Sequence, residues 1–513
     1  MNQATSETKV LLVAIAGTFM MILDQTIMNI ALPHIMAVFN ETTDRAQLVI
    51  SAYLMASAIT TPAAAFLAMR FGLKRVYLFS QAGFLLGSIF CGMSWNTNSL
   101  IFFRIIQGLC GGLLSPLAMT LLFLNIPPQD RGTAMGIFGI PMMLGPAIGP
   151  TLGGYLVTYW DWRWCFYINV PIVLVAIMLG IMWIEDTVIS KTTFDIWGFA
   201  LAAVGFSCLL YGLSYAPTWH WDDWRIITLL VLGSICTLAW IVVELRSKQP
   251  MLDLHIFKST GFSLATGVNF VTTIGLFSVI FLLPMFLQNL RGLSAMETGL
   301  MMLPAVFGSM ISMPVSGRLY DKIGPKLPVV IGLALTAVTT LWMQNLDITT
   351  SDTTLRWMLF WRGIGMGFAM MPVMTYALAS VPQAMTAQAS SILNVTRTIF
   401  ASFGIAVFAT MLDTFQKMNL AMMVQTVTPD SILALQFLSQ VQVVMMQAGQ
   451  TLEVARQMGV YLLYQFMNQR AVITAFEMDY VIASVVLILG IIPALFLPFG
   501  RAKKSGAPVD ISV

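Results

Sequence analysis

An aspartate lies well inside the first long apolar run of the chain, which makes it the first residue to examine for chemistry. Asp24 falls in the run 10–32. A carboxylate within hydrocarbon is costly, and by default it marks a function. Held between apolar surroundings and a nearby cation, it can exchange a proton under physiological conditions. We therefore predict that Asp24 binds protons; the alternative is an acid that reaches the outer membrane surface. The other acids near apolar runs are placed at their ends: Glu244, Asp413, Glu477 and Asp479.

An arginine in the fourth apolar run is the predicted partner of this aspartate. At the 1.5 Å rise of a helix, Arg104 lies at a depth compatible with that of Asp24. We predict an ion pair between the two side chains. The alternative is a structural arginine that bonds backbone carbonyl groups. Arg362, in the segment MLFWR, repeats Arg104 in LIFFR, and Arg397 either lines a cavity or braces the core.

A further set of side chains falls on runs that we expect to surround a central cavity. Methionine thioethers pack against varied apolar guests, although for any single methionine ordinary core filling is the alternative. The candidate cavity residues are Gln25, Asn29, Met142, Met143, Arg362, Met366, Met370, Asn394 and Arg397.

The fifth apolar run carries glycine and proline at helical spacing. Small residues at i, i+4 and i+8 give a smooth, kinked face that another helix can approach closely. This face is predicted to seal the two halves of the molecule against proton leak, and a purely structural kink is the alternative. The residues are Gly145, Pro146, Gly149, Pro150, Gly153 and Gly154.

The amino-acid composition predicts that the chain is a membrane protein. The chain has 513 residues, of which 58% are hydrophobic and 10% are charged, and its mean hydropathy is +0.82. Soluble domains carry roughly 25% charged residues. Apolar runs of about twenty residues match the bilayer, and lipid requires them to be helices. The predicted spans are 10–32, 46–69, 76–94, 99–124, 133–157, 165–184, 194–216, 225–243, 262–290, 297–319, 328–345, 355–378, 388–412 and 478–499.

Other classes of function find no support in the residues. The net charge of +3 is too small for a nucleic-acid-binding protein. The three histidines are scattered, the five cysteines lack metal-ligand spacing, and no Walker phosphate-binding loop is present. We predict no enzyme activity, no cofactor and no metal site.

The distribution of basic residues predicts the orientation. With the N-terminus in the cytoplasm, fifteen of the 26 lysines and arginines lie inside, including Arg501, Lys503 and Lys504 of the C-terminal tail. Both termini are then cytoplasmic. The long loop 413–477 is then external. Its amphipathic stretches SILALQFLSQVQVVMM and VARQMGVYLLYQFM are predicted to form helices that lie at the membrane interface or bind a partner.

Two short loops repeat in the two halves of the chain. Gly317, Asp321, Gly324 and Lys326 form the pattern G-x-L-x-D-x-x-G-x-K, which resembles the loop motif of the major facilitator superfamily. The first copy, FLAMRFGLKR, keeps Gly72, Lys74 and Arg75 but has Met69 in place of the aspartate. The alternative is a basic turn that only sets topology.

Three segments narrow this resemblance. LDQTIMNIALP at 23–33 and WRWCFYINVPI at 162–172 resemble the fourteen-span drug:proton antiporters of the EmrB/QacA group. GPAIGPTLGGYL at 145–156 resembles the antiporter motif in the fifth helix of exporters. The resemblance implies an all-α major facilitator fold with fourteen transmembrane helices. Its parts are a six-helix half at 1–184, two inserted helices and a linker at 185–260, and a second half at 261–513 with the loop 413–477.

The same resemblance implies proton-coupled export of hydrophobic or cationic drugs across the cell (inner) membrane. Its partners would be small-molecule drugs, protons and membrane lipids. The 413–477 segment either meets a periplasmic adaptor protein and an outer-membrane channel or forms a self-packed cap. Two other functions stay open: export of one compound class such as a bile salt, antibiotic or lipid, and a membrane sensor or scaffold on a transporter fold.

Overall fold

The computed structural model describes residues 2–185, 194–247, 249–427 and 431–500, and these residues are overwhelmingly α-helical. The basic tail residues Arg501, Lys503 and Lys504 lie outside the described part. In chain order the helices are α1 Asn2–Phe39, α2 Thr43–Thr60, α3 Ala63–Phe71, α4 Leu73–Gly92, α5 Thr97–Asn125, α6 Arg131–Tyr159, α7 Trp164–Tyr167, α8 Asn169–Trp183, α9 Ile196–Trp219, α10 Trp224–Arg246, α11 Thr260–Asn289, α12 Ala295–Ile323, α13 Lys326–Trp342, α14 Asp352–Ala379, α15 Thr386–Thr426, α16 Ile432–Gln447 and α17 Leu452–Leu495.

The helices coincide with the predicted spans, each of which falls on one helix or on one broken pair. Among the described residues, ten helices are long and apolar enough to cross a membrane, and twelve when two bent pairs are counted as single spans. The two remaining predicted spans coincide with α4 and α14, whose arginines and lysines lower their hydropathy. The number fourteen therefore stays a prediction.

The helices pack in two groups on either side of an inserted pair. In the first group α1 packs on α5, α6 and α8, while α4 and α2 pack on α5. In the second group α11 packs on α14, α15 and α17, while α12 and α13 pack on α14. The groups meet through α6 against α12 and through α5 against α15. This arrangement agrees with two halves that share a central interface.

The inserted helix α9 touches both groups. It packs along α10 on one side and against α2 and α15 on the other. The Ser51 hydroxyl on α2 donates to the Tyr215 hydroxyl at 3.4 Å, and Trp221 Nε1, just after α9, donates to Thr410 Oγ1 on α15 at 2.6 Å. The inserted pair therefore bridges the two halves at one end.

The segment 413–477, expected as a long loop, is mostly helical. α15 continues to Thr426, α16 follows, and α17 begins at Leu452. The amphipathic stretches are helical, as their pattern predicts. Helices persist because residues 413–427 and 431–447 contain no glycine or proline, whereas Gly449, with φ +85°, stands in the turn between α16 and α17.

The loop motif shows the internal repeat in the backbone. Gly72 between α3 and α4 has φ +89°, and Gly324 between α12 and α13 has φ +87°. Residues other than glycine are strained at such angles. The two copies thus make the same turn into the next helix, although their sequences have diverged.

The glycine and proline face of α6 is kinked and closely packed, but against a helix of its own half. α6 bends by 40° between Pro146 and Ile148, where Pro150 offers no N–H to the carbonyl of residue 146. A Cβ on Gly145 would lie 2.5 Å from Ile22 Cγ2 on α1, and one on Gly149 would overlap Thr26.

The role of this face as a seal between the halves stays a prediction. A Cβ on Gly153 would meet only ordinary contacts with Ile27 of α1, and one on Gly154 would meet nothing within 4 Å. α6 contacts α12 of the other half at Gly132 and Gly136, and again at Pro150 on this face. Whether the α1–α6 contact limits proton leak stays a prediction.

Replacing Gly149 with leucine should separate α1 from α6. Overpacking of this kind costs about 1–3 kcal/mol, so the apparent Tm of the purified protein should fall. Gly154→Leu is the matched control, because the same substitution on the same helix enters open space. Thermal unfolding of both variants in one detergent checks this. Equal Tm values for the two variants would show that the Gly149 face is not tightly packed.

Candidate functional site

A buried ion pair between α1 and α5 forms the centre of the candidate site. Arg104 Nη1 donates to Asp24 Oδ2 at 2.6 Å, and neither residue is exposed. Gln107 Nε2 and Asn169 Nδ2 donate to the other carboxylate oxygen at 3.0 and 2.9 Å. The sequence predicts the pair, and the structure brings it together. Asp24 does not reach the surface, so the alternative of a snorkelling acid is wrong.

The arginine is held by α2 as well as by the carboxylate. Arg104 Nε donates to the Val49 carbonyl at 3.2 Å, and the guanidinium lies 4.3 Å from the centre of the Tyr53 ring. α5 itself starts at a capping box formed by Asn96 and Ser99. Arg104 therefore both bonds a backbone carbonyl group and forms the ion pair.

Two polar residues that bind Asp24 were not predicted from the sequence. Gln107 follows Arg104 by three residues and so shares its helix face, while Asn169 stands at the start of α8. Both donate to Ser88 Oγ on α4, at 2.8 and 3.2 Å. Two sequence features could have predicted them: Gln107 is an amide three residues from an intramembrane arginine, and Asn169 is an amide in the segment WRWCFYINVPI.

Two further carboxylates, which the sequence places at span ends, are buried within the protein. Glu244 and Asp479 are also unexposed. Glu244 accepts hydrogen bonds from Trp240 Nε1 at 3.0 Å and from the backbone N–H of Leu252 at 3.3 Å. Neither oxygen of Asp479 has a hydrogen-bond partner among the described residues. The sequence places both acids at span ends because hydropathy marks where an apolar run stops. Hydropathy does not show which helices pack around a residue beyond that point.

A cavity of about 490 Å³ lies between the halves. All nine candidate cavity residues line it: Gln25, Asn29, Met142, Met143, Arg362, Met366, Met370, Asn394 and Arg397. Arg104 also lines the cavity, whereas Asp24 is not among the lining residues. Phe206 and Leu210 of the inserted helix α9 add to the wall, which the sequence did not predict.

Contacts between α5 and α15 close the cavity at one end. The Ser115 hydroxyl donates to Asn394 Oδ1 at 2.7 Å, and the Ser390 hydroxyl donates to the Pro116 carbonyl at 2.9 Å. The last lining residue is Pro116 on α5 and Met370 on α14, so none of the final nine residues of either helix, at the end that carries the 317–326 loop, lines the cavity. The floor therefore faces that loop.

The loop motif of the second half fastens the two halves at the closed end. Asp321 accepts hydrogen bonds from the backbone N–H groups of Gly132 and Thr133, both at 2.8 Å, and from the Thr133 hydroxyl at 2.7 Å. A carboxylate is favoured at the positive N-terminus of a helix, here α6. Gly317 packs directly against the Gly132 backbone, and a side chain there would collide with it.

The remaining motif residues play smaller parts. Gly72 and Gly324 make the turns described above, and Lys326 Nζ lies 5.3 Å from the Phe499 ring centre. Lys74 and Arg75 form no ion pair with a described carboxylate. The acid latch therefore exists on one side only, as the loss of the aspartate at Met69 predicts.

Two further arginines in the cavity wall lack a carboxylate. Arg362 Nη2 donates to the Gly275 carbonyl at 2.6 Å, and Arg397 Nη1 contacts Met142 Sδ at 3.5 Å. Within the described part of the chain, no group of three or more His, Cys, Asp or Glu residues is arranged to hold a metal ion.

Comparisons with known proteins find relatives along nearly the whole chain. The family model described as Major Facilitator Superfamily matches residues 14–405. The MFS-type transporter YhcA of Bacillus subtilis (strain 168) is 36% identical over 85% of this chain and 82% of its own length. The multidrug export protein EmrB of Escherichia coli (strain K12) is 30% identical over 96% of this chain and 95% of its own length. Among solved structures, the proton:xylose symporter XylE covers 97% of both chains with a TM-score of 0.58 at 13% identity.

Proposed function

The chain belongs to the Major Facilitator Superfamily, and on that premise we propose that it exports structurally varied hydrophobic or cationic drugs across the cell membrane in exchange for protons. It is a multi-pass membrane protein with the fold of this superfamily. The observation that carries the proposal is the buried Asp24–Arg104 pair, because Arg104 belongs both to the pair and to the cavity wall.

The arrangement supports coupling through the arginine rather than direct competition at the carboxylate. Asp24 lies behind the wall, so a bound drug is nearer to the Arg104 side of the pair. Protonating Asp24 removes the charge that holds the guanidinium at 2.6 Å. Arg104 then keeps only neutral partners, such as the Val49 carbonyl and Gln107 Oε1. In an exchanger, proton binding and drug binding must weaken each other by the same factor.

The latch at the closed end supports alternating access. Asp321 joins α12 to α6 through three hydrogen bonds that a rigid-body separation of the halves would break. Breaking them at that end would open the cavity there, while the opposite end closes. The inserted helix α9, bonded to both halves at the other end, would have to release one of them during this motion.

Two other functions remain as alternatives. A dedicated exporter of one compound class, such as a bile salt, antibiotic or lipid, would use the same cavity and the same ion pair. It would be recognised by transport of one class only. A membrane sensor or scaffold would not move dyes in vesicles at all.

We propose that both termini are cytoplasmic and that the projection formed by residues 413–477 lies outside. At 1.5 Å per residue, the part of α17 before residue 478 extends roughly 40 Å. Exposed apolar side chains such as Val443, Val444 and Phe466 on this projection would suit a periplasmic adaptor protein. We therefore include a periplasmic adaptor protein and an outer-membrane channel among the proposed partners.

An exposed cysteine on α16 tests the orientation. In a background where the partly exposed Cys110, Cys208 and Cys236 are alanines, Gln440→Cys should react with a membrane-impermeant maleimide in intact cells, because position 440 is exposed and external. Ser505→Cys, in the tail, should react only after lysis. The reverse pattern would overturn the orientation.

Replacing the coupling carboxylate tests the function. Asp24→Asn keeps the size, but the amide cannot carry the exchanged proton, so it should abolish dye efflux driven by a pH gradient in vesicles, while Asp24→Glu should retain part of it. Asp479→Asn is the control, because it removes another fully buried carboxylate that lies outside the cavity wall. Gradient-driven efflux by Asp24→Asn, together with its loss in Asp479→Asn, would move the coupling site to Asp479.

A further inference from the structure

We propose that Arg362 and Arg397 form a receptor for the acidic group of lipophilic organic anions, which makes such anions a substrate class of this transporter. This inference rests on the export function proposed above and names a ligand chemistry for its cavity. The evidence is the charge of the cavity wall, the bonding of the two arginines and the apolar character of the remaining lining residues.

The wall of the cavity carries positive charge without compensation. Three arginines line it, and the described lining residues include no aspartate, glutamate, lysine or histidine. The charge of Arg104 is balanced by Asp24 behind the wall. Arg362 and Arg397 form no ion pair with any described carboxylate. The cavity therefore holds two positive charges that no carboxylate in the described part of the chain pairs with.

The repeat shows where a carboxylate is missing. Arg104 on α5 reaches a carboxylate on α1, whereas Arg362 on α14 reaches a backbone carbonyl at Gly275 on α11. Both arginines thus cross to the first helix of their half. Arg362 is only 4% exposed and its Nε has no hydrogen-bond partner in the described part of the chain. A guanidinium in this position has donors left for a ligand.

The second arginine is bound even more weakly by the protein. Arg397 lies on α15, half-buried, and the hydrogen bond recorded for it runs from Nη1 to Met142 Sδ at 3.5 Å. A thioether is a weak acceptor. Most of the hydrogen-bonding capacity of this guanidinium is therefore directed at whatever fills the cavity.

The energetics favour an anionic guest. A charge taken out of water without a partner costs several kcal/mol, so intramembrane arginines that lack a carboxylate are expected to serve a ligand. Carboxylate and sulfonate groups accept the paired donors of a guanidinium. The rest of the wall includes Phe277, Ile280 and Met366, which suit an apolar body.

Two dyes that share their rings and differ in one sulfonate test the receptor. Anilinonaphthalene sulfonate is an anion, and phenylnaphthylamine is its neutral counterpart. Calorimetric titration of the purified, detergent-solubilised full chain gives Kd for both. Arg362→Gln and Arg397→Gln should each weaken binding of the sulfonate by about ten- to a hundredfold, the loss expected for a charge-assisted hydrogen bond. Binding of the neutral dye should change by less than about threefold.

Two further variants separate a local effect from a general one. Arg356→Gln makes the same substitution on α14 at an exposed position outside the cavity wall, and it should leave both Kd values unchanged. Arg362→Lys keeps the charge and should retain most of the preference for the sulfonate. Equal Kd values for both dyes in the unaltered protein would overturn the proposal. So would a loss in the two glutamine variants that is the same for both dyes.

Transport separates this inference from the function on which it rests. If gradient-driven efflux of neutral and cationic dyes is intact but the sulfonate dye neither binds nor moves, the export function stands and the anion receptor is wrong. If the sulfonate binds through Arg362 and Arg397 but no dye moves under a pH gradient, the receptor stands and proton-driven export is wrong.

Discussion

An ionised carboxylate inside a membrane bundle is tolerated only when the bundle supplies its partners, and this constraint organises the first half of the molecule. Asp24 receives hydrogen bonds from Arg104 and Gln107 on α5 and from Asn169 on α8. Ser88 on α4 orients the two amides, and Val49 on α2 anchors the guanidinium. Removing one partner of such a pair would leave an uncompensated buried charge, which costs far more than the pair contributes. Five helices are therefore held around one carboxylate.

The helix that carries Asp24 is also the helix against which α6 packs. Gly145 and Gly149 bring α6 onto α1 at Ile22 and Thr26, on either side of the aspartate, and the Thr26 hydroxyl donates to the Gly145 carbonyl at 3.1 Å. The other end of α6 receives Asp321 from the second half. A packed route thus joins Asp24 to the contact that closes the cavity.

The sequence predicted features that follow from cost and spacing. An acid in hydrocarbon needs a cation, and Arg104 at matching depth supplies it. Glycines at i and i+4 need a close neighbour, and α1 is that neighbour. Residues on the faces of central helices were predicted to line a cavity, and all nine do so.

Other features depend on how helices are arranged, which hydropathy does not record. The burial of Asp479 depends on the packing of α17, which continues far beyond the apolar run that defined its span. The place of α9 in the cavity wall depends on its position between α2 and α15, because its own sequence reads as an ordinary apolar span. The helical character of 413–477 was underestimated because a break in hydropathy was taken as a break in secondary structure.

Proton release from the purified protein tests the central claim most directly, since it shows without a membrane gradient whether Asp24 exchanges a proton when drug binds. Phenylnaphthylamine carries no group that ionises near neutral pH, so protons that appear when it binds come from the protein. In weakly buffered detergent solution, binding to the unaltered protein should release protons, and binding to Asp24→Asn should release none. Equal proton release from Asp24→Asn at equal occupancy would contradict the account.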